Sequence, residues 1–216
     1  MSVNAELRAF YDLRRPQIPE QARAVMERAA RELAESGQVG RALAVGDRAP
    51  GFTLPSAAGG SVELAALLAD GPVVLTFYRG AWCPYCNIAL RSLQQHHAAI
   101  LDRGARLVAV SPQLPDGSLT LAEKNELSFP VLSDPGCAVA EQYGLAFDLP
   151  EDLAAVYAAS GIDLARSNGG RPRTLPLPAT YVVDRAGTVR WAFVDTDHTV
   201  RAEPADVLAA LDRLDR

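Results

Sequence analysis

The sequence predicts an α/β domain with parallel strand pairs, preceded by an N-terminal helical extension, on three observations. From residue 72 onward, apolar segments of strand length alternate with helical patterns, an arrangement that calls for crossover connections. A short apolar strand over 72–78 runs through a Gly-containing turn into Cys83-Pro84-Tyr85-Cys86, at the start of a helix that carries Leu90, Leu93 and His97. Residues 1–44 lack this alternation and instead repeat Ala22, Val25, Met26, Ala29 and Leu33 at helical spacing up to a stop at Gly37.

The elements follow in order. The apolar stripe of the extension needs a partner, either the chain's own domain or a second subunit in a homodimer, and own-domain packing is the ordinary fate of such stripes. The composition shifts at 45–50, and residues 45–216 are expected to form the redox domain, with 1–44 as the extension. Phe52-Thr53-Leu54, Ala58-Gly59-Gly60 and Ser61-Val62-Glu63-Leu64 read as a hairpin leading into a short helix. After the dithiol helix come a buried strand over 106–110, a loop through Pro112 and Pro115, a helix over about 118–127 and a strand over 129–132. Asp134-Pro135-Gly136 opens a helix that ends at Gly144. Residues 146–174 read as a surface insertion near the site, with a helix over 151–159 and a polar turn at Asn168-Gly169-Gly170. A strand over 179–184, a turn at Arg185-Ala186-Gly187, a strand over 188–194 and a helix over 204–214 complete the chain.

At 216 residues, with 49% hydrophobic and 22% charged residues, the chain is long enough for one well-buried core and an appendage. A formal charge of −5 argues against a nucleic-acid or anionic-membrane surface. The N-terminal stretch lacks an apolar leader core and no 18-residue uncharged apolar run occurs, so a cytoplasmic location is expected. Three cysteines are too few for a disulfide scaffold, and a Cys-x-x-Cys beside a βαβ pattern in a reducing compartment points to catalysis.

Cys83 is expected at the helix N-cap, Pro84 at the first helical position, where its missing N–H costs nothing, and Cys86 one turn in. The positive end of the helix dipole favours thiolate, the form that attacks disulfides and peroxides. Trp82 and Tyr85 flank the pair as an apolar rim for a substrate or partner. A redox-inert alternative, a structural or zinc-binding Cys pair, lacks ligands, because His96 and His97 lie about ten residues down the same helix at roughly 1.5 Å rise per residue. A c-type haem motif is excluded by Asn87 after Cys86. No cofactor is implied.

Cys137, at a helix start, would also gain from the dipole as a resolving or glutathionylated thiol, but free Cys ordinarily behaves as a buried hydrophobe. His96 and His97 are expected on a solvated rim. Asp195, Asp197 and His198 read as a polar turn rather than a metal site, since no further ligand pattern accompanies them. Asn168-Gly169-Gly170 lacks the Lys and Ser/Thr of a phosphate loop.

The order of pieces from Val45 onward resembles the thioredoxin-like superfamily, and specifically its alkyl hydroperoxide reductase and thiol-specific antioxidant branch, the peroxiredoxin-like proteins. The resemblance rests on Val45-Gly46-Asp47-Arg48-Ala49-Pro50-Gly51-Phe52-Thr53-Leu54, on Phe129-Pro130-Val131-Leu132-Ser133-Asp134 with Tyr143-Gly144-Leu145, and on Pro178-Ala179-Thr180-Tyr181-Val182-Val183-Asp184. It implies a central mixed sheet flanked by helices. The family's Pro-x-x-x-Thr-x-x-Cys loop places Arg79 at the Pro, Cys83 at the Thr and Cys86 at the peroxidatic cysteine, while the family's peroxide-polarising Arg falls on Pro178. Trp82-Cys83-Pro84-Tyr85-Cys86 and Pro178 are similar to a thioredoxin's dithiol and its cis-proline.

Two mechanisms follow from the resemblance. As a peroxidase, Cys86 attacks a peroxide and Cys83 resolves the sulfenic acid to a disulfide, which a thioredoxin-type or low-molecular-weight thiol reduces. Arg79 then supplies the missing positive charge. As a thiol-disulfide oxidoreductase, exposed Cys83 attacks a partner's disulfide, Cys86 resolves, and a cis Pro178 docks the partner's backbone.

Overall fold

The structure, a computed structural model, describes residues 2–116, 122, 125–169 and 171–214. The expected helix over 118–127 lies largely outside the described residues. The extension forms α1 (Val3–Arg14) and α2 (Glu20–Glu35). β1 (Thr53–Pro55) and β2 (Ser61–Glu63) pair as the expected antiparallel hairpin and feed α3 (Leu64–Asp70). β3 (Val73–Phe77) then leads through the turn to α4 (Pro84–Gln95), which breaks at His96 and resumes as α5 (His97–Leu101). β4 (Arg106–Ser111), β5 (Val131–Ser133) and α6 (Ala138–Gln142) follow. The last elements are β8 (Ala179–Val183), β9 (Val189–Val194) and α9 (Pro204–Leu211).

The insertion is more ordered than its composition suggests. β6 (Ala146–Asp148) and β7 (Thr174–Pro176) pair antiparallel and pin its two ends together. Between them lie α7 (Glu151–Ala159), with the expected bounds, and α8 (Leu164–Asn168), which ends on the first residue of the expected turn and is capped by Gly169; Gly170 lies outside the described residues.

The central sheet has the order β5-β4-β3-β8-β9, parallel among β3, β4 and β5 and antiparallel at β8 and β9, so it is mixed as the resemblance implies. β3 is buried along its whole length because both faces of the sheet are covered. Val73, Leu75 and Phe77 face Tyr143, Tyr181 and Leu132, whereas Val74 and Tyr78 face Leu90, Ile100, Val207 and Leu211. This alternation puts α4 and α9 on one face and sends the chain from Phe77 into the turn beneath the start of α4.

Both helices of the extension pack on the chain's own domain. Val3 and Leu7 of α1 bury against Ile88 of α4, and the Phe10 ring meets Tyr85 edge-on at 5.3 Å. Ala29 of α2, with Val25 and Met26, packs on Leu149, Leu153 and Tyr157 of the insertion. The connection to β1 needs a glycine at position 144. Gly144 has φ +69°, and a Cβ there would lie 2.0 Å from the Arg41 carbonyl oxygen. Gly144→Ala should therefore lower the unfolding free energy by about 2 kcal/mol or more, from left-handed strain plus the backbone clash. A denaturant midpoint that falls at unchanged slope is the expected reading.

Candidate active site

The site is built where β3 ends and α4 begins. Gly80 has φ +145°, and a Cβ there would sit 2.4 Å from the Trp82 indole nitrogen, so only glycine lets the turn close. Cys83 N–H donates to the Gly80 carbonyl at 3.1 Å, and the Ala81 N–H donates to the Gln113 side chain at 2.5 Å. Cys83 occupies the N-cap with extended backbone and Pro84 opens the helix. Cys86 N–H reaches back to the Cys83 carbonyl at 3.1 Å, which fixes the two thiols side by side.

Both sulfurs are buried, Cys83 at 2% and Cys86 at 0% exposure. The exposed Cys83 expected for the oxidoreductase mechanism is thus corrected: half-buried Trp82 and Tyr85 close over the helix start. The Tyr85 ring meets Phe10 of α1 on one side and the His198 ring, at 5.4 Å, on the other. Trp82 packs on Tyr157 of α7, with ring centroids 5.7 Å apart.

The charges around the thiols decide their roles. Arg201 Nη2 donates to Cys86 Sγ at 3.3 Å, and the Arg79 backbone N–H lies 3.5 Å from the same sulfur. Burial opposes charge on Cys86, but the Cys83 thiol as donor, the Arg201 charge, and the N–H and charge of Arg79 outweigh it and hold Cys86 well below the ordinary thiol range. Cys83 moves the other way, pushed well above that range by burial and by donating its S–H to Cys86. The surroundings therefore favour the thiolate on Cys86 over Cys83.

Arg79 is buried, not facing solvent, and its guanidinium donates to the Tyr157 hydroxyl while lying over the rings of Trp82 and Tyr157 at 5.0 and 5.4 Å. The Arg79 charge does act on Cys86, while the direct side-chain bond to that sulfur comes from Arg201. Nothing in the sequence marks Arg201, an arginine in a loop before a helix; only the turn of the chain after β9 brings it beneath α4. Its Nη1 donates to the His198 and Val200 carbonyls, both at 2.6 Å, which aims Nη2 at the sulfur.

Pro178 borders the site, but its peptide bond is trans: the described residues contain no cis peptide. The cis expectation is corrected. The chain runs extended from β7 into β8, with Leu177 N–H on the Leu145 carbonyl and the Pro178 carbonyl accepting from Asp195. Asp195 and Asp197 do close a polar turn, as Asp197 N–H donates to Asp195 at 2.8 Å. His198 leaves that turn to border the site, and burial together with the Arg79 and Arg201 charges holds its imidazole neutral, well below its ordinary value. His97 is buried rather than on a rim, with Nδ1 on Ser128 Oγ at 2.8 Å and its ring against Phe129; His96 is half-buried on the Ser92 carbonyl. Cys137 is fully buried, and burial first, then Asp134, pushes its thiol up, so the dipole does not activate it. Its Sγ contacts the Thr174 carbonyl at 3.5 Å.

A cavity of about 340 Å³ is bounded by Met26 and Leu33 of α2, Leu153 and Tyr157 of α7, and Arg79 and His198, and neither cysteine lines it. The Nε of Arg79 is buried and carries no hydrogen bond.

The model of the AhpC/TSA family matches residues 45–192. The chain belongs to the AhpC/TSA family. Peroxiredoxin Bcp of Escherichia coli is 32% identical over 103 residues, 48% of this chain and 65% of the relative. The thiol-disulfide oxidoreductase ResA of Halalkalibacterium halodurans is 31% identical over 107 residues, 49% of this chain and 60% of the relative. The matched stretch thus spans less than two thirds of either relative. The crystal structure of peroxidoxin BcpB from Mycobacterium tuberculosis superposes with a TM-score of 0.61 at 25% identity, covering 79% of this chain and 97% of that one. As an AhpC/TSA member, the chain has a peroxiredoxin-like scaffold whose cation at the thiolate comes from position 201, outside the matched residues. No group of three or more metal-ligating side chains occurs among the described residues.

Removing that cation should be measurable. Arg201→Met is expected to move the midpoint of Cys86 thiolate formation up by about one to two pH units. Alkylation by iodoacetamide across pH 5–9 checks it, and below the new midpoint the rate should fall about tenfold per pH unit. An unchanged midpoint would remove Arg201 from the site.

Proposed function

We propose that the protein is a thiol-dependent peroxide reductase in which Cys86 is peroxidatic and Cys83 resolving. The observation that carries this is the guanidinium of Arg201 on Cys86 Sγ, which makes the second cysteine of the motif the thiolate. The Cys86 thiolate attacks the terminal peroxide oxygen, the O–O bond breaks, Cys86 becomes a sulfenic acid, and the departing alkoxide or hydroxide takes a proton from solvent. The Cys83 thiol then displaces water from the sulfenic acid to give the Cys83–Cys86 disulfide. Two reducing equivalents from a thioredoxin-type or small thiol restore the dithiol. Arg79 and Arg201 stabilise the charge on the leaving oxygen. Under this reading the working compartment is the reducing cytoplasm.

The thiol-disulfide oxidoreductase reading has the likeness to ResA in its favour. It requires Cys83 to attack first, and burial with hydrogen bonding to Cys86 raises that thiol.

Stopped-flow reaction of reduced Cys83→Ser with hydrogen peroxide and cumene hydroperoxide, with dimedone trapping, separates the two. The expected result is sulfenic acid on Cys86, formed at least about a hundredfold faster than on a free thiol, and none in Cys86→Ser. If neither variant outpaces a free thiol while Cys83 forms mixed disulfides with a model disulfide, the oxidoreductase reading replaces this one.

A further inference from the structure

The Arg201 guanidinium reaches Cys86 only if the loop between β9 and α9 is held in place, and the contacts that hold it come from the first turn of α1. Asn4 binds Arg201 at both backbone groups. Its Oδ1 accepts from the Arg201 N–H at 2.9 Å, and its Nδ2 donates to the Arg201 carbonyl at 2.8 Å. This two-point contact imitates a strand pairing and fixes both peptide planes of the residue. The arrangement is reciprocal. Glu203, two residues on, accepts from the Val3 and Asn4 N–H groups, both at 3.0 Å, and from Asn4 Nδ2 at 2.7 Å. Its carboxylate therefore satisfies the N-terminal donors of α1 and favours its dipole. Hydrogen bonding to these donors outweighs burial and holds Glu203 below the ordinary carboxylate range.

No carboxylate forms an ion pair with Arg201 among the described residues, so its position rests on hydrogen bonds to neutral groups. Asn4 holds its main chain, the His198 and Val200 carbonyls hold Nη1, and Nη2 is left for the sulfur. Asn4 lies outside residues 45–192, the part matched by the family model. Hydrophobic docking of α1, through the side chains of Val3, Leu7 and Phe10, does not involve the Asn4 side chain.

We infer that Asn4 is a positioning residue for the thiolate: through Arg201 it sets the acidity of Cys86, so the N-terminal helix is a working part of the redox site. The inference rests on the reading of Cys86 as the attacking thiolate. Charge–charge and hydrogen-bond strength at a buried sulfur fall steeply with distance, so releasing the Arg201 main chain weakens the contact without removing the charge.

The test compares Asn4→Ala with Ser2→Ala in the full chain. Ser2 caps α1 by accepting from the Ala5 N–H at 3.2 Å and its hydroxyl also hydrogen-bonds Glu203, so its loss loosens the helix end while leaving the two bonds between Asn4 and Arg201 in place. In Asn4→Ala the midpoint of Cys86 thiolate formation should rise by about one pH unit, and the peroxide rate constant below that midpoint should fall about tenfold. Ser2→Ala should leave both unchanged. Asn4→Ser, too short to span both Arg201 groups, should give the same shift and serves if the alanine variant is unstable. In an Arg201→Met background, Asn4→Ala should be silent. An Asn4→Ala protein that loses thermal stability with the Cys86 midpoint and rate unmoved would overturn the inference while leaving Cys86 as the peroxidatic residue. A wild-type protein with no Cys86 thiolate at neutral pH would overturn the functional reading itself.

Discussion

The structure turns on keeping a sulfur anion in a dry place. Cys86 has no solvent exposure, and an uncompensated buried anion costs several kcal/mol. Two arginines meet that cost, Arg201 by a direct guanidinium hydrogen bond and Arg79 through its backbone N–H and its side-chain charge. Each arginine needs the thiolate in turn. Arg79 and Arg201 are 3% and 7% exposed, and among the described residues neither has a carboxylate partner within ion-pair reach. Arg79 instead rests on the faces of Trp82 and Tyr157, which favour a cation without neutralising it. The anion and the two cations thus stabilise one another, and the proton stays on Cys83.

The rest of the chain serves this arrangement. β3, buried on both faces, fixes where the turn begins, and Gly80 allows the turn to fold beneath Trp82. α7 of the insertion brings the Tyr157 hydroxyl to Arg79, and α1 brings Asn4 to Arg201. Two segments far apart in the sequence therefore hold the two cations. The same segments cover the dithiol, α1 through Phe10 on Tyr85 and α7 through Tyr157 on Trp82.

Much of this was legible in the residues. The strand, turn and helix around Cys83 and Cys86 follow from local rules: an apolar run, glycine in the turn, proline at the first helical position, and Leu90 and Leu93 one face further on. The bounds of α7 follow from Pro150 before it and Ser160-Gly161 after it. What stayed hidden is non-local. Arg201 looks like any surface arginine until the path of the chain after β9 is known, and Asn4 looks like a helix-start residue. The pairing of β6 with β7 depends on two three-residue segments far apart in sequence, too short for a periodic signal. The trans peptide at Pro178 and the burial of Cys83 show where likeness to a dithiol motif failed, because exposure is set by Trp82, Tyr85 and the extension rather than by the motif.

The assignment of the thiolate to Cys86 is tested most directly by ¹³Cβ NMR of the reduced protein with labelled cysteines, titrated from pH 4 to 10. This readout does not depend on a reagent reaching a buried sulfur. The Cys86 Cβ should move to its thiolate position well below the ordinary thiol range, while Cys83 keeps its thiol position to the alkaline end of the titration. A Cys83 signal that titrates first, with Cys86 still protonated at neutral pH, would contradict the account and place the nucleophile at the first cysteine of the motif.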